Sequence, residues 1–182
     1  MAKGRSIWFV RHAQSEYNKK KLFTGWHDPD LTDQGVKKAF ELKSEYGNIE
    51  FNFIYSSPLK RAFQTAEIMS NGTEFIVDER LKERSYGDWS GQSKDLIREE
   101  VGENEFFLAR RGWSTSPPNG ESLRDVKDRV VSFLEDLPKN GKILVVSHGN
   151  TIRAISVALG TNTVENVSSY EIKVGTHLLF ED

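Results

Sequence analysis

Five short apolar runs punctuate the chain: "IWFV" (7–10), "FNFIYSS" (51–57), "TEFIVDE" (73–79), "KILVVS" (142–147) and "HLLFE" (177–181). They are rich in β-branched and aromatic residues, which predicts strands. Between them lie stretches with helical spacing. Thr32 is a candidate N-cap for "DQGVKKAFELKSEY", and Ser57 with Pro58 would supply the cap and first position of "LKRAFQTAEIM". In "ESLRDVKDRVVSFLEDL" the residues Leu123, Val126, Val130, Phe133 and Leu137 fall on one face, and Gly160 is placed to end a helix over "NTIRAISVAL". Strands alternating with helices predict an α/β fold, a three-layer sandwich with a mostly parallel central sheet covered on both faces. Residues 84–121 carry no strong strand signal and read as an insertion within a single domain spanning 1–182.

Such a sheet binds ligands outside the carboxyl ends of its strands. That rule gives meaning to the residues that end two of the runs, Arg11 and His12 after "WFV", and His148 after "ILVVS". All three would project into one crevice, joined by Arg61 from the start of the next helix. The insertion would lie over that crevice. The chain has 182 residues and a formal charge of −2, so it offers no overall field for nucleic acid, and affinity for anions has to be local. A phosphoryl group, with a charge of about −1.5 to −2, suits a pocket of two histidines and two arginines. Arginine's fixed, always charged fork grips phosphate oxygens bidentately. Neutral imidazole is also a nucleophile near neutral pH, and a carboxyl group is needed to protonate the departing oxygen. Glu83 in "LKERSYGDWSG" is the candidate by context. Singly, each of these residues is more simply a packing or solvated side chain, and Glu83 sits in a charge run. The case is their conjunction.

Cysteine is absent, so neither a disulfide framework nor thiolate chemistry is available. The run from Ile7 to Val10 is too short for a signal peptide or a membrane span, and a cytoplasmic protein without a membrane partner is expected. No HxxxH pattern or carboxylate cluster at ligand spacing suggests a metal. His27 and His177 have no catalytic context.

Taken jointly, the motifs resemble the histidine phosphatase superfamily. "RHAQSEYN" (11–18) is similar to its phosphorylated-histidine motif, "SSPLKRAFQTAEI" (56–68) to its second-arginine helix, and "VVSHGNTIRAI" (145–155) to its second-histidine strand. Within the superfamily the chain looks most like the 2,3-bisphosphoglycerate-dependent phosphoglycerate mutases. "KLFTGWHDPDLTDQG" (21–35), "ERSYGDWSGQSK" (83–94), "ARRGWSTSPPNGESL" (109–123) and "EIKVGTHLLFE" (171–181) carry that likeness.

The resemblance implies a phosphoglycerate mutase-like fold. It implies that His12 accepts the phosphoryl group, that Glu83 donates and accepts the proton, and that Arg11, Arg61 and His148 hold the transferred group. Asn18, Thr24 and Gly25 would line the substrate with Ser15, Tyr86, Gly149 and Asn150 nearby, while Lys94, Arg110 and Arg111 would bind its second anionic group. The activity implied is interconversion of 3-phosphoglycerate and 2-phosphoglycerate, with 2,3-bisphosphoglycerate as phosphoryl primer and no metal. A phosphatase acting on small phosphorylated metabolites is the alternative, and a non-catalytic phosphate-binding protein a remoter one. Two departures stand out: Ala13 where the family usually has glycine, and Gln14 where the mutases usually have glutamate. The stretch between Pro118 and Ser122 and the end of the chain are shorter than in most such mutases, which predicts poorer exclusion of water and a monomer or weak homodimer.

Overall fold

A computed structural model describes residues 4–182. In chain order the elements are β1 (Arg5–Arg11), α1 (Glu16–Lys19), α2 (Asp33–Glu45), β2 (Phe53–Ser56), α3 (Lys60–Ser70) and β3 (Ile76–Val77). There follow α4 (Lys94–Val101), α5 (Glu103–Arg111), α6 (Leu123–Asp136), β4 (Gly141–Ser147), α7 (Gly149–Ala158) and β5 (His177–Glu181). The five strands form one sheet in the order β3-β2-β4-β1-β5. β1, β2, β3 and β4 run parallel, and β5 is antiparallel to β1.

Side-chain alternation divides the central strands between two cores. Ile7, Phe9, Ile143 and Val145 face α6 and α7, packing with Val126, Val130, Phe133, Ile152 and Ile155. Val10, Leu144 and Val146 face the other way, against Leu42 of α2 and Ala62 and Ala66 of α3. Both faces of β1 and β4 are therefore dry, which is why these runs read as continuous apolar stretches. Burying each large side chain contributes about 1.5–3 kcal/mol, so the sheet's centre is the most secure part of the molecule.

Most helix boundaries follow their sequence signals. Thr32 caps α2 by accepting from Gly35 N, and Ser122 with Asp125 forms a capping box at α6. Gly160 takes a positive φ of 70° just past α7, as a terminating glycine should. One expectation fails. Ser57 and Pro58 do not open α3, which starts at Lys60 after Leu59 with no side-chain cap. The Ser57 hydroxyl is instead engaged with His148.

Residues 84–121 add no strand. They contain α4 and α5, for which no sequence signal was read, and their Tyr86, Trp89, Ile97, Phe106 and Ala109 build a separate small core with Phe23 from outside the segment. Arg84 ties this segment together. Fully buried, it donates to four backbone carbonyls, those of Ala109, Arg110, Thr115 and Glu121. No helix among the described residues is long and apolar enough to cross a membrane.

Candidate active site

The parallel order brings the carboxyl ends of β1, β2 and β4 to one edge. Arg11 pairs with Ser147 in register, and His12 N donates to Ser147 O at 3.0 Å, carrying the ladder one residue past the strand. His12 and His148 thus meet, their ring centroids 5.1 Å apart at an interplanar angle of 62°. His12 Nδ1 donates to the carbonyl of Ala13 at 2.6 Å. A carbonyl can only accept, so the proton of the neutral ring lies on Nδ1 and the lone pair on Nε2 is free.

Both imidazoles are held neutral. Burial pushes the pKa of His12 well below the ordinary histidine range, and the charges of Arg61 and Arg11 push it further. His148 is lowered well below that range by burial, then by Arg61 and His12. Its Nε2 lies 2.7 Å from the Ser57 hydroxyl. The same hydroxyl accepts from Leu59 N–H at 3.3 Å.

Two guanidinium groups complete the basin. Arg11 Nη1 donates to Ile172 O at 2.5 Å, and Arg61 donates to Gly25 O at 2.9 Å and His27 O at 3.0 Å. Each is anchored by its terminal nitrogens. Arg11 Nε, Arg61 Nε and His148 Nδ1 are buried without a protein partner. Buried polar atoms are nearly always satisfied, so the two guanidinium N–H groups and the His148 nitrogen fit contacts with a phosphoryl group. Burial lowers Arg61 to about 10, partly offset by Glu83, which leaves it charged at neutral pH. At Gly149, an added Cβ would lie 3.1 Å from the Arg11 guanidinium carbon, so the backbone there is kept bare beside the basin.

Glu83 lines the same pocket and is nearly buried. One carboxylate oxygen accepts from Arg84 N at 2.7 Å. Its carbonyl accepts from Trp26 Nε1 at 2.7 Å and from Arg129 at 3.0 Å. Just upstream, Ser147 and Thr151 donate to the carbonyls of Leu81 and Lys82, so β4 and α7 pin the approach to Glu83.

The same pocket holds a second cationic group. Lys94 begins α4, and Arg110 and Arg111 end α5; all three line the cavity with Arg11, His12, Asn18, Thr24, Gly25 and Arg61. Burial, then Arg110 and Arg11, lower the Lys94 amine to about 8. Tyr86, Gly149 and Asn150 also line the cavity, and Asn150 donates to the Tyr86 hydroxyl at 3.1 Å.

Two of the predicted site residues lie behind this surface. His148 is fully buried beneath His12, and Ser15 is buried at the start of α1, where its hydroxyl accepts from Asn18 N. Ser15 thereby orients Asn18, whose side chain closes the capping box. The structure adds three lining residues that the sequence analysis passed over, Arg153, Glu171 and Ile172. Arg153 spans Asn150, the carbonyl of Val167 and the carbonyl of Arg111. "TIRAI" places it on a helix with an apolar face, and nothing in that pattern marks it as a site residue.

The departures also find places. Ala13 keeps an ordinary backbone conformation, outside the positive-φ residues, and its N–H donates to Thr65 Oγ1 at 3.2 Å. Its Cβ costs no strain. Gln14 is absent from the pocket lining and accepts from the Thr32 hydroxyl at 3.0 Å, tying the loop after His12 to the start of α2. His27 is exposed, and His177 pairs with the Tyr46 hydroxyl away from the pocket lining.

An imidazole with a free nitrogen at the end of a parallel strand, beside two buried guanidinium groups, defines an α/β protein built to handle phosphate. The chain belongs to the histidine phosphatase superfamily (branch 1), whose family model matches residues 7–179, and it is an enzyme of that family. It is 40% identical over 189 residues to a 2,3-bisphosphoglycerate-dependent phosphoglycerate mutase of Azorhizobium caulinodans, covering 97% of this chain and 91% of that protein. A Bartonella tribocorum protein of the same name is 36% identical, covering 97% and 92%. Among solved structures, a mycobacterial glucosyl-3-phosphoglycerate phosphatase superposes with a TM-score of 0.86 at 26% identity, covering 98% of this chain and 90% of that one.

Proposed function

We propose that this protein is a 2,3-bisphosphoglycerate-dependent phosphoglycerate mutase, interconverting 3-phosphoglycerate and 2-phosphoglycerate. The observation that carries the reading is the second cationic cluster, Lys94, Arg110 and Arg111, which lines one cavity together with His12. A phosphatase has to hold one phosphoryl group and admit water. A mutase has to keep a ligand with two anionic groups while it reorients, and that requires a second hold. The relatives of the same name at 36–40% identity support the assignment.

The residues fit the bisphosphate primer: unpartnered nitrogens on Arg11, Arg61 and His148 suit one phosphoryl group, and the Lys94 cluster suits the other. When bound, the primer supplies the phosphoryl group that His12 carries. His12 Nε2 attacks phosphorus while Nδ1–H stays on the Ala13 carbonyl, which fixes the tautomer and ring orientation. As the P–O bond breaks, Glu83 gives its proton to the departing oxygen, and it takes a proton from the attacking hydroxyl in the reverse direction. Arg11 and Arg61 neutralise charge on the phosphoryl oxygens while the neutral His148 offers them a hydrogen bond, and positioning and electrostatics supply most of the rate. Asn18, Thr24, Gly25, Tyr86, Gly149 and Asn150 shape the walls. Residues 84–121 act as the cover of the site, because Lys94, Arg110 and Arg111 all come from them.

A phosphatase acting on small phosphorylated metabolites is the second reading, favoured by the likeness in fold to the mycobacterial phosphatase. The two separate in one assay. Supplied with 3-phosphoglycerate and a trace of 2,3-bisphosphoglycerate, the protein should yield 2-phosphoglycerate faster than free phosphate, and the opposite order would reject the mutase. Arg110→Ala with Arg111→Ala should lose isomerisation by about two orders of magnitude, as expected for about 3 kcal/mol of lost charge-assisted contacts, while retaining some hydrolysis.

A further inference from the structure

Around Lys94, Arg110 and Arg111 the cavity lining is cationic, with one exception. Glu171 stands among them, its carboxylate 3.7 Å from Arg111 Nη2 and its side chain 58% exposed. The segment that carries it is fixed to the site from both sides. Arg11 Nη1 donates to the carbonyl of Ile172, and Arg111 Nη1 to that of Tyr170 at 3.4 Å. Glu171 is therefore placed beside Arg111 by bonds to the backbone on either side of it, while its side chain is mostly exposed. At 3.7 Å and mostly in water, the ion pair is a weak one. Its influence extends beyond Arg111. Arg110, lowered by burial, and Arg11, lowered by burial and raised by Glu83, are both raised further by the Glu171 charge.

A carboxylate in that place presents Arg111 with the same chemistry as the far anionic group of a ligand. We propose that Glu171 is a specificity-determining residue that competes with the ligand's second anionic group for Arg111, weakening the hold on ligands that have such a group and leaving simple phosphomonoesters unaffected. The inference rests on Lys94, Arg110 and Arg111 being the hold on that second group. Its physical consequence is a trade. A neutral residue at 171 would bind a two-anion ligand more tightly and release it more slowly, and the native glutamate keeps the ligand exchangeable.

The test compares two ligands of similar skeleton, 3-phosphoglycerate and glycerol 3-phosphate, which lacks the carboxylate. Dissociation constants are measured by calorimetry on the wild type, Glu171→Gln and Glu171→Asp, at low ionic strength and at about 0.5 M salt. For Glu171→Gln we expect 3-phosphoglycerate to bind about three- to tenfold tighter at low salt, an effect that shrinks at high salt, while glycerol 3-phosphate changes less than twofold. Glu171→Asp should stay near the wild type. In an Arg111→Gln background the gain from Glu171→Gln should vanish. An equal change for both ligands, no change for 3-phosphoglycerate, or a gain that persists without Arg111 would each overturn the proposal. So would a wild type with no preference between the two ligands. Because the readout is binding, failure of the mutase reading shows separately, as an intact ligand preference without isomerisation.

Discussion

At the residue scale, the site works by keeping its histidines neutral and its arginines charged. His12 achieves this through burial and the neighbouring guanidinium groups, with Nδ1–H committed to Ala13 O, so Nε2 is nucleophilic without a base. Lys94 is the titratable cation of the second cluster, lowered to about 8 by burial first and by Arg110 and Arg11 next. Its charge is present below that value and lost above it. The KM for 3-phosphoglycerate should therefore rise as pH passes through about 8, with kcat changing less, and Lys94→Met should start from a raised KM and remove this inflection. A flat KM between pH 7 and 9.5 in the wild type would take Lys94 out of ligand binding. His12, His148, Arg11 and Arg61 were legible because each follows or opens a regular element with a clear signal. Arg153 and Glu171 were not, since one reads as a helix residue and the other as the start of the stretch leading into the final strand.

At the element scale, the informative segment is α4 and α5 with the loops around them. Sequence periodicity missed both helices because each is short, at eight and nine residues, and they are separated only by Gly102, with a φ of 83°. Their apolar residues cluster with Phe23 from a distant loop, so no local pattern announces the small core they build. Arg84 fixes the end of α5, and hence Arg110 and Arg111, through carbonyls of residues 109, 110, 115 and 121. Arg84→Met removes the donor from these buried acceptors and should cost about 2–4 kcal/mol, the penalty for leaving several such groups unsatisfied. The expected signs are a lower Tm, early proteolysis within residues 84–121, and a KM that rises for ligands carrying two anionic groups. A Tm shift with cleavage distributed over the whole chain would show that Arg84 supports the molecule generally and not this segment.

At the scale of the whole molecule, the fold concentrates two buried histidines at the edge of its most secure element. Their native pKa values lie well below the unfolded value near 6.5. Above that pH both states leave them neutral and they contribute no pH dependence. Below it the unfolded chain takes up protons that the native state refuses, so stability falls as pH falls, by up to about 1.4 kcal/mol per pH unit for each histidine. Denaturant titrations between pH 6.5 and 5 in a phosphate-free buffer should show this slope, and His148→Asn should reduce it. An unchanged slope would mean that carboxylates elsewhere dominate acid unfolding. The alternation of apolar runs with helical faces determined the α/β class, the two-sided core and the parallel sheet, because burial on both faces leaves a continuous apolar run along a strand. Motif order also marked His12, the proposed nucleophile, and the basic residues around it. Only the tertiary structure decided that the carboxyl ends of β1, β2 and β4 meet, that Ser57 serves His148 and does not cap a helix, and that Glu171 stands among the arginines. Those facts depend on contacts between residues far apart in the chain, which leave no periodic trace in the sequence.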